Sequence, residues 1–180
     1  MNSKFQSLRV SNASRVIITT QQLINAEGKL SFKLPDSYKA FVQEYGYGLL
    51  LGMFRIYLPE AYHACEDLSE VIKDLSADIQ WAEKEKFIRY QPDGSSELVA
   101  RLIPFGKDDG GGILAWDLRD EPERGEYRIY VIGSRFSSVH KAAGSLYEFI
   151  ERALRPDLDG MVGRIEVQLE AKFEPAVIKP

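Results

Sequence analysis

The 180-residue chain has the composition of one folded domain, with 44% hydrophobic and 28% charged residues. Its formal net charge of -4 and its isoelectric point near 5.3 argue against the basic surface that binding to DNA, RNA or an anionic membrane requires. A basic protein partner is compatible with this charge. The single cysteine, Cys65, cannot form an internal disulfide, and no apolar stretch is long enough for a signal peptide or a membrane span, so we expect a cytoplasmic protein.

The first part of the chain predicts two helices behind a short lead-in. Residues 1–13 show no hydrophobic period, and we expect them to be flexible. Apolar positions and helix-tolerant Gln and Glu residues indicate a first helix over Ser14–Leu30. A second helix is indicated from Pro35, which suits the first helical position, and Gly46 supplies its stop. The apolar face of this second helix contains Tyr38, Phe41, Val42 and Tyr45.

The next part of the chain combines strands with a long helix. The pattern indicates a strand over Met53–Leu58, a helix that begins at the cap residue Asp67, and a short strand over Phe87–Tyr90. Asp67 and Glu70 have the spacing of a capping box, and apolar residues keep helical spacing behind them as far as Ile79. Trp81–Lys86 is a candidate extension of this helix.

Residues 102–118 predict a β-hairpin, because two apolar runs flank a turn that is both glycine-rich and acidic. The three consecutive glycines 110–112 accept positive φ without a Cβ clash, so the turn can close. Asp108 and Asp109 lie at its tip. Pro104 cannot donate to a sheet ladder, so it predicts an edge strand or a strand boundary on the incoming side.

Three more elements complete the prediction. They are a strand over Tyr127–Ile132, a helix from the cap residue Ser145 to Leu154, and a strand over residues 163–171, where apolar and polar residues alternate. This order predicts an α+β fold, a single domain whose mixed or antiparallel sheet carries helices packed against it. We assign residues 1–13 to the lead-in, 14–155 to the domain, and 156–180 to a C-terminal extension with an extra strand.

Several of these segments together resemble the SUKH superfamily, known from bacterial toxin-immunity proteins and a yeast cell-wall regulator. The resemblance rests on an ordered set of motifs: Glu27 before Leu34-Pro35-Asp-Ser-Tyr38-Lys-Ala-Phe41 and Tyr45-Gly46, then Ile103-Pro104-Phe105-Gly106, Gly111-Gly112 before Leu114 and Trp116-Asp117, and Ser145-Leu-Tyr-Glu-Phe149-Ile150. It covers roughly residues 20–154. It implies the α+β fold and a binding role without catalysis, although the chain reads Gly112-Ile113 where the family usually has Gly-Asp.

Residues that could carry catalysis lack the necessary spacing. His63 and His140 are far apart in sequence without a metal-ligand pattern, and neither Cys65 nor the Ser137-Ser138 pair has an evident orienting partner. The glycine run lacks the Gly-Lys-Ser/Thr ending of a phosphate-binding loop and follows two aspartates, which repel phosphate. The same acids fail the calcium-loop pattern. We therefore predict no cofactor, no metal and no catalytic residue.

Acidic residues concentrate in two segments. Residues 60–85 have a net charge of -6 and residues 108–126 a net charge of -5, so the remainder of the chain is +7. A solvated helix face and polar turns are the ordinary interpretation, and a surface for a basic partner is the functional one. For the functional interpretation, the predicted partner-binding residues are Asp108, Asp109, Trp116, Asp117, Asp120, Glu121 and Glu123, and the alternative set is Glu66, Glu70, Asp74 and Asp78.

Two classes of function follow from the resemblance and the charge pattern. The first is a non-enzymatic immunity protein that binds and neutralises a cognate toxin, with a basic nuclease toxin as the favoured kind. The alternative is an intracellular protein-interaction scaffold of the same fold, and an enzyme acting on a small molecule is a third reading. Neither a nucleic acid nor a membrane is a predicted partner. The pattern predicts no particular oligomeric state.

Overall fold

A computed structural model describes residue 5 and residues 8–11, 16–60, 66–155 and 168–176. The strands are β1 Arg9–Val10, β2 Gly48–Leu50, β3 Phe54–Ile56, β4 Leu102–Asp108, β5 Ile113–Asp117, β6 Arg128–Ile132, β7 Val139–Ala143 and β8 Lys172–Pro175. The α-helices are α1 Thr20–Leu30, α2 Asp36–Glu44, α3 Leu68–Lys84, α4 Ser96–Val99 and α5 Leu146–Ala153. In this described part of the chain, no helix combines the length and apolar character that crossing a bilayer needs.

The strands form one mixed sheet of eight strands in the order β1-β8-β2-β3-β4-β5-β6-β7. From β3 to β7 each strand pairs antiparallel with the next one in sequence, and among the described strands only β1 and β8 pair in parallel. The α3 helix packs against β4, and α5 packs against β7 and α2. The predicted α+β class, with one sheet and helices packed against it, is confirmed.

Local capping interactions and a glycine set the ends of the first two helices. Thr19 accepts a hydrogen bond from the amide of Gln22, whose side chain reaches back to the amide of Thr19, so α1 starts here rather than at Ser14. Pro35 is the cap residue of α2 rather than its first helical residue, so the helix begins one residue later than predicted, at Asp36. Gly46 follows the helix with φ of +74°, and a Cβ there would lie 1.9 Å from the backbone oxygen of Val16. Only glycine fits this stop.

The α3 helix is capped at Asp67, whose carboxylate accepts the amide of Ser69 at 2.8 Å. It continues through the predicted extension as far as Lys84, so one helix covers both segments. Its buried side follows helical spacing and contains Leu68, Val71, Leu75, Ile79 and Ala82. The opposite side of α3 faces solvent.

The hairpin of β4 and β5 closes as predicted. The Asp108 carboxylate accepts the amide of Gly112 at 2.8 Å, and Gly111 takes φ of +90°. The prediction that Pro104 lies in an edge strand or at a strand boundary is wrong for β4 as a whole, because β4 lies between β3 and β5. β3, however, pairs only with Gly106–Asp108, so Pro104 itself is paired with β5 alone. The register to β5 shifts between Pro104 and Gly106, and such an irregularity accommodates a residue that lacks an amide hydrogen.

Some predicted strands differ from those observed. Residues 87–90, predicted as a strand, form none. The chain pairs with the edge strand β7 a little later, through an isolated bridge between Pro92 and Val139. The helix predicted from Ser145 is confirmed as α5, with the Ser145 hydroxyl accepting the amide of Glu148. Among the strands and α-helices between residues 48 and 143, β2, α4 and β7 were not predicted.

Segments near the two chain termini, β1 and β8, form one edge of the sheet. Within the predicted lead-in, Phe5 is buried and β1 pairs with β8. Of the predicted strand 163–171, residues 163–167 lie outside the described part of the chain and 168–171 are not extended in a ladder. The C-terminal strand is instead β8, which pairs with β2.

Aromatic side chains join the helices to the sheet in one core. Trp116 of β5 stacks on Phe105 of β4 with ring centroids 4.1 Å apart, and Tyr38 of α2 meets Trp116 edge-on at 5.1 Å. The buried Tyr38 hydroxyl donates to the backbone oxygen of Tyr57 at 2.6 Å. The α2 helix and the 102–132 strands therefore share a core, as predicted.

Candidate partner-binding surface

The side chains considered for catalysis form no common site in the described part of the chain. His140 is buried in β7, its Nδ1 has no hydrogen-bond partner among the described residues, and burial lowers its pKa. His63 and Cys65 lie outside the described residues. Among the residues that are described, no three His, Cys, Asp or Glu side chains are grouped closely enough to hold a metal ion.

Two of the predicted partner-binding residues, Trp116 and Asp117, lie in the interior, each only 1% exposed. The Asp117 carboxylate receives two hydrogen bonds from the Arg101 guanidinium, at 2.9 and 2.8 Å. Burial acts to raise the pKa of Asp117, but these bonds and the one from the amide of Arg119 outweigh it and hold the pKa below its usual value. Both residues therefore support the fold and do not contact a partner in this conformation.

The remaining predicted acids of segment 108–126 divide between two loops. Asp108 is the last residue of β4 and Asp109 begins the turn before β5, whereas Asp120, Glu121 and Glu123 lie in the loop after β5. The five residues of β5 separate the two loops by about 17 Å. Asp108 caps its own turn, Asp120 pairs with Arg128 at 3.1 Å, and Glu121 accepts the amide of Gly125. The structure does not bring this set together into one surface.

The alternative acids form a continuous stripe on α3. Glu70, Asp74 and Asp78 are four residues apart and all exposed, and Glu66 is exposed just before the helix begins. At about 100° of rotation per residue, the three helical acids fall within an arc of about 80°. We call Glu66, Glu70, Asp74 and Asp78 the acidic face. The acidic face is a larger contiguous group of exposed acids than either loop of segment 108–126 provides.

Trp81 extends the acidic face with an aromatic side chain that is 56% exposed. Its position on the helix falls inside the same arc as the three acids. The Trp81 ring lies 5.3 Å from that of Phe87, which is 57% exposed. Sequence reasoning treated both residues as parts of secondary structure. The signal that could have found Trp81 is its heptad spacing from Asp74, which places it on the polar side of the predicted helix.

Phe87 is held beside Trp81 by the way α3 ends. The amide of Lys86 donates to the oxygen of Glu83 and the amide of Phe87 to that of Ala82, which together form a Schellman motif. Lys86 occupies the left-handed position with φ of +59°, where glycine is the usual residue. The motif reverses the chain direction at the end of α3 and so holds the Phe87 ring beside the Trp81 ring.

The comparison with protein-family models gives one match. The model described as the SMI1 / KNR4 family (SUKH-1) matches residues 17–152, about three quarters of the chain. The matched region runs from just before α1 into the last turn of α5, and it includes both the β4–β5 hairpin and the acidic face. A search of curated proteins finds no match. On the extent of the family match, the chain belongs to the SMI1 / KNR4 (SUKH-1) family.

Proposed function

We propose that this protein is a non-enzymatic immunity protein that neutralises a cognate toxin by stoichiometric binding in the cytoplasm. Membership of the SUKH-1 family supports this class of function, since the superfamily is known from toxin-immunity proteins. The single observation that carries the proposal is the acidic face of α3, which continues into the exposed Trp81. The favoured partner is a basic protein such as a nuclease toxin.

The acidic face suits a basic partner for two physical reasons. Exposed carboxylates attract a positively charged surface over several ångströms and so raise the rate of productive encounter. In a nuclease they would also occupy the positions that substrate phosphates use. Trp81 adds a large apolar side chain that can be desolvated on binding, and tryptophan is among the residues that carry most binding energy in protein interfaces.

The loop acids form the second candidate surface. Asp109 and Glu123 are exposed, but they lie beyond opposite ends of β5 and are not accompanied by an exposed large hydrophobic side chain of the same loops. A compact toxin contact would therefore engage one loop rather than both. The scaffold function remains the alternative activity, and it would use the same acidic face without a toxic partner.

Neutralisation can be tested with the product of the gene immediately upstream of this one. That product is expressed alone and together with this chain, and growth is followed. The proposal expects growth arrest that coexpression relieves, and a purified complex whose titration ends at one molecule of each protein. Replacement of His63, Cys65 or His140 that leaves the fold stable should preserve relief. A non-toxic upstream product that still binds would favour the scaffold, and relief at far lower than equimolar amounts would indicate turnover.

A further inference from the structure

A cleft beside the acidic face has the opposite charge. It has a volume of about 540 Å³ and is lined by Trp81, Phe87, Arg89, Arg135, Phe136 and Ser137. This volume falls within the range of about 300–1,000 Å³ that is typical of ligand pockets. Three of its six lining residues are aromatic and two are arginines, the residue types most enriched at the centres of protein interfaces. We call it the aromatic–arginine cleft.

The charge of the two segments that form the cleft is basic, although the whole chain is acidic. Residues 81–89 and 133–138 contain Lys84, Lys86, Arg89 and Arg135, against the two acids Glu83 and Glu85. Arg89 and Arg135 are exposed, and within the described residues neither forms an ion pair. Their guanidinium groups are therefore available to an external acceptor, and the planar guanidinium group matches a carboxylate with two parallel hydrogen bonds.

The backbone holds one wall of the cleft in an unfavourable conformation. Arg135 and Phe136 are consecutive non-glycine residues with left-handed φ values of 54° and 57°. This region is costly for residues with a Cβ and is retained where surrounding structure imposes it. The amide of Arg89 donates to the oxygen of Phe136 at 2.9 Å, which ties the two walls together. The cleft is thus a formed structure and not a chance gap between loops.

We propose that the aromatic–arginine cleft docks a protein segment that carries an aromatic side chain flanked by carboxylates. The aromatic side chain enters between Trp81, Phe87 and Phe136, where it exchanges water for aromatic contacts. The flanking carboxylates accept hydrogen bonds from Arg89 and Arg135. This site goes beyond the proposed neutralising function, because its occupant is defined by the chemistry of the cleft alone.

The sign of the charge changes along the surface that runs from the acidic face to the aromatic–arginine cleft. Acids occupy α3 up to Asp78, the aromatic pair follows, and the arginines lie beyond it. A segment with basic flanks would meet repulsion in the cleft and would bind better on the acidic face. A segment with acidic flanks would be repelled by the acidic face and would bind better in the cleft. The sign of the flanking charge therefore distinguishes the two sites.

The test uses the exposed Trp81 as its probe, because Trp116 is buried and little affected by a soluble quencher. Acrylamide quenching of tryptophan fluorescence is measured with a short capped peptide that has a central phenylalanine between aspartates. Two control peptides replace the aspartates with lysines or the phenylalanine with alanine. A short single-stranded oligonucleotide is the fourth probe, since aromatic and arginine side chains can also stack bases.

The aspartate peptide should shield Trp81 with saturation, and the peptide that has alanine in place of phenylalanine should bind at least about fivefold more weakly. Shielding by the lysine peptide arises on the acidic face and should not be weakened by R89E/R135E. The double variant R89E/R135E should weaken the aspartate peptide by about tenfold or more. The matched variant R119E/R124E changes the net charge equally at exposed positions of the β5–β6 loop, and it should have less than about a twofold effect.

Three results would overturn the proposal: no saturable shielding by the aspartate peptide, equal shielding by the peptide that has alanine in place of phenylalanine, or stronger shielding by the oligonucleotide. The wild-type comparison of the four probes decides these outcomes without any variant. A fall in binding of equal size in both double variants would also contradict it, because the effect would then be one of net charge.

Discussion

The hydroxyl of Ser37 donates a hydrogen bond to the Glu126 carboxylate at 2.6 Å, and the Ser37 amide donates a second at 2.8 Å. The same hydroxyl accepts the amide of Leu146 at 2.9 Å. One serine therefore joins the start of α2, the loop before β6 and the start of α5. These bonds hold together elements that are far apart in sequence, and they explain why an acid of the 108–126 segment is buried rather than displayed.

The first prediction concerns the pH dependence that Glu126 imposes. Burial raises the pKa of the Glu126 carboxyl, and the hydrogen bonds from Ser37 only partly offset this. The folded state therefore binds the proton more tightly than the unfolded state does, so the stability that the carboxyl contributes is present below its unfolded pKa and is lost as pH rises through the folded pKa. The difference in unfolding free energy between the wild type and E126Q, measured by urea denaturation, should fall from pH 4 upwards. A difference that rises over this range would contradict the assignment.

The second prediction concerns Arg101 and the buried Asp117. R101A leaves the carboxylate without its two guanidinium bonds, so we expect a loss of about 2–3 kcal/mol at pH 7. Because the pKa of Asp117 is lowered in the folded state, this contribution is present above its unfolded pKa and disappears as pH falls through the folded value. The control is R119A, which keeps the backbone bond to Asp117 and should change stability by less than about 0.5 kcal/mol. Equal losses in both variants would exclude the paired carboxylate as the cause.

The third prediction tests the shared core. Phe41 and Phe149 are fully buried, and Phe149 meets Phe54 edge-on at 5.1 Å. F41A and F149A should each cost about 3–5 kcal/mol, because each removes aromatic contacts and leaves a cavity. F87A is the matched control, since the ring at Phe87 is exposed, and it should cost less than about 1 kcal/mol. Thermal or chemical denaturation measures all three, and small losses for both core variants would refute the packing.

The fourth prediction concerns the end of α3. Lys86 occupies a left-handed position that glycine adopts without a Cβ penalty, so K86G should stabilise the protein by about 0.5–1 kcal/mol. The control K73G places the same substitution at an exposed position inside the same helix, where glycine should cost about 1 kcal/mol. Opposite signs for the two variants are the expected result of denaturation experiments. Destabilisation by both would show that the Lys86 side chain matters more than its backbone.

Local signals were sufficient for much of the fold. The Asp67 cap with its apolar spacing predicted α3, and the glycine turn between two apolar runs predicted the β4–β5 hairpin, because both depend on neighbouring residues. β7 was missed because Val139-His140-Lys141-Ala142-Ala143 has few typical strand residues. Its extended form depends on pairing with β6, which is a tertiary effect.

The candidate site was harder to predict because exposure depends on distant partners. Asp117 is buried with a hydrogen bond from Arg101, 16 positions away in sequence, and Glu126 is buried with hydrogen bonds from Ser37, 89 positions away. Counting acids along the segment therefore overstated the charge that it presents. Trp116 was predicted as a partner-binding residue but lies in the core, whereas Trp81 is exposed because it lies on the side of α3 opposite to the one that packs against β4. The acidic face of α3 was predicted only as the alternative set.

The last prediction addresses the acidic face itself, and the measurement is the association rate with the toxin encoded by the upstream gene. Because exposed charges are screened beyond about 8 Å at physiological ionic strength, the rate should fall as salt is added. E70K/D74K should slow association by about tenfold or more at low salt, with little change in melting temperature. The matched variant D109K/E123K changes the net charge equally and should slow association much less, since its residues lie on two separate loops. An unchanged rate for E70K/D74K, with a large loss for D109K/E123K, would contradict the account and place the toxin on the loops.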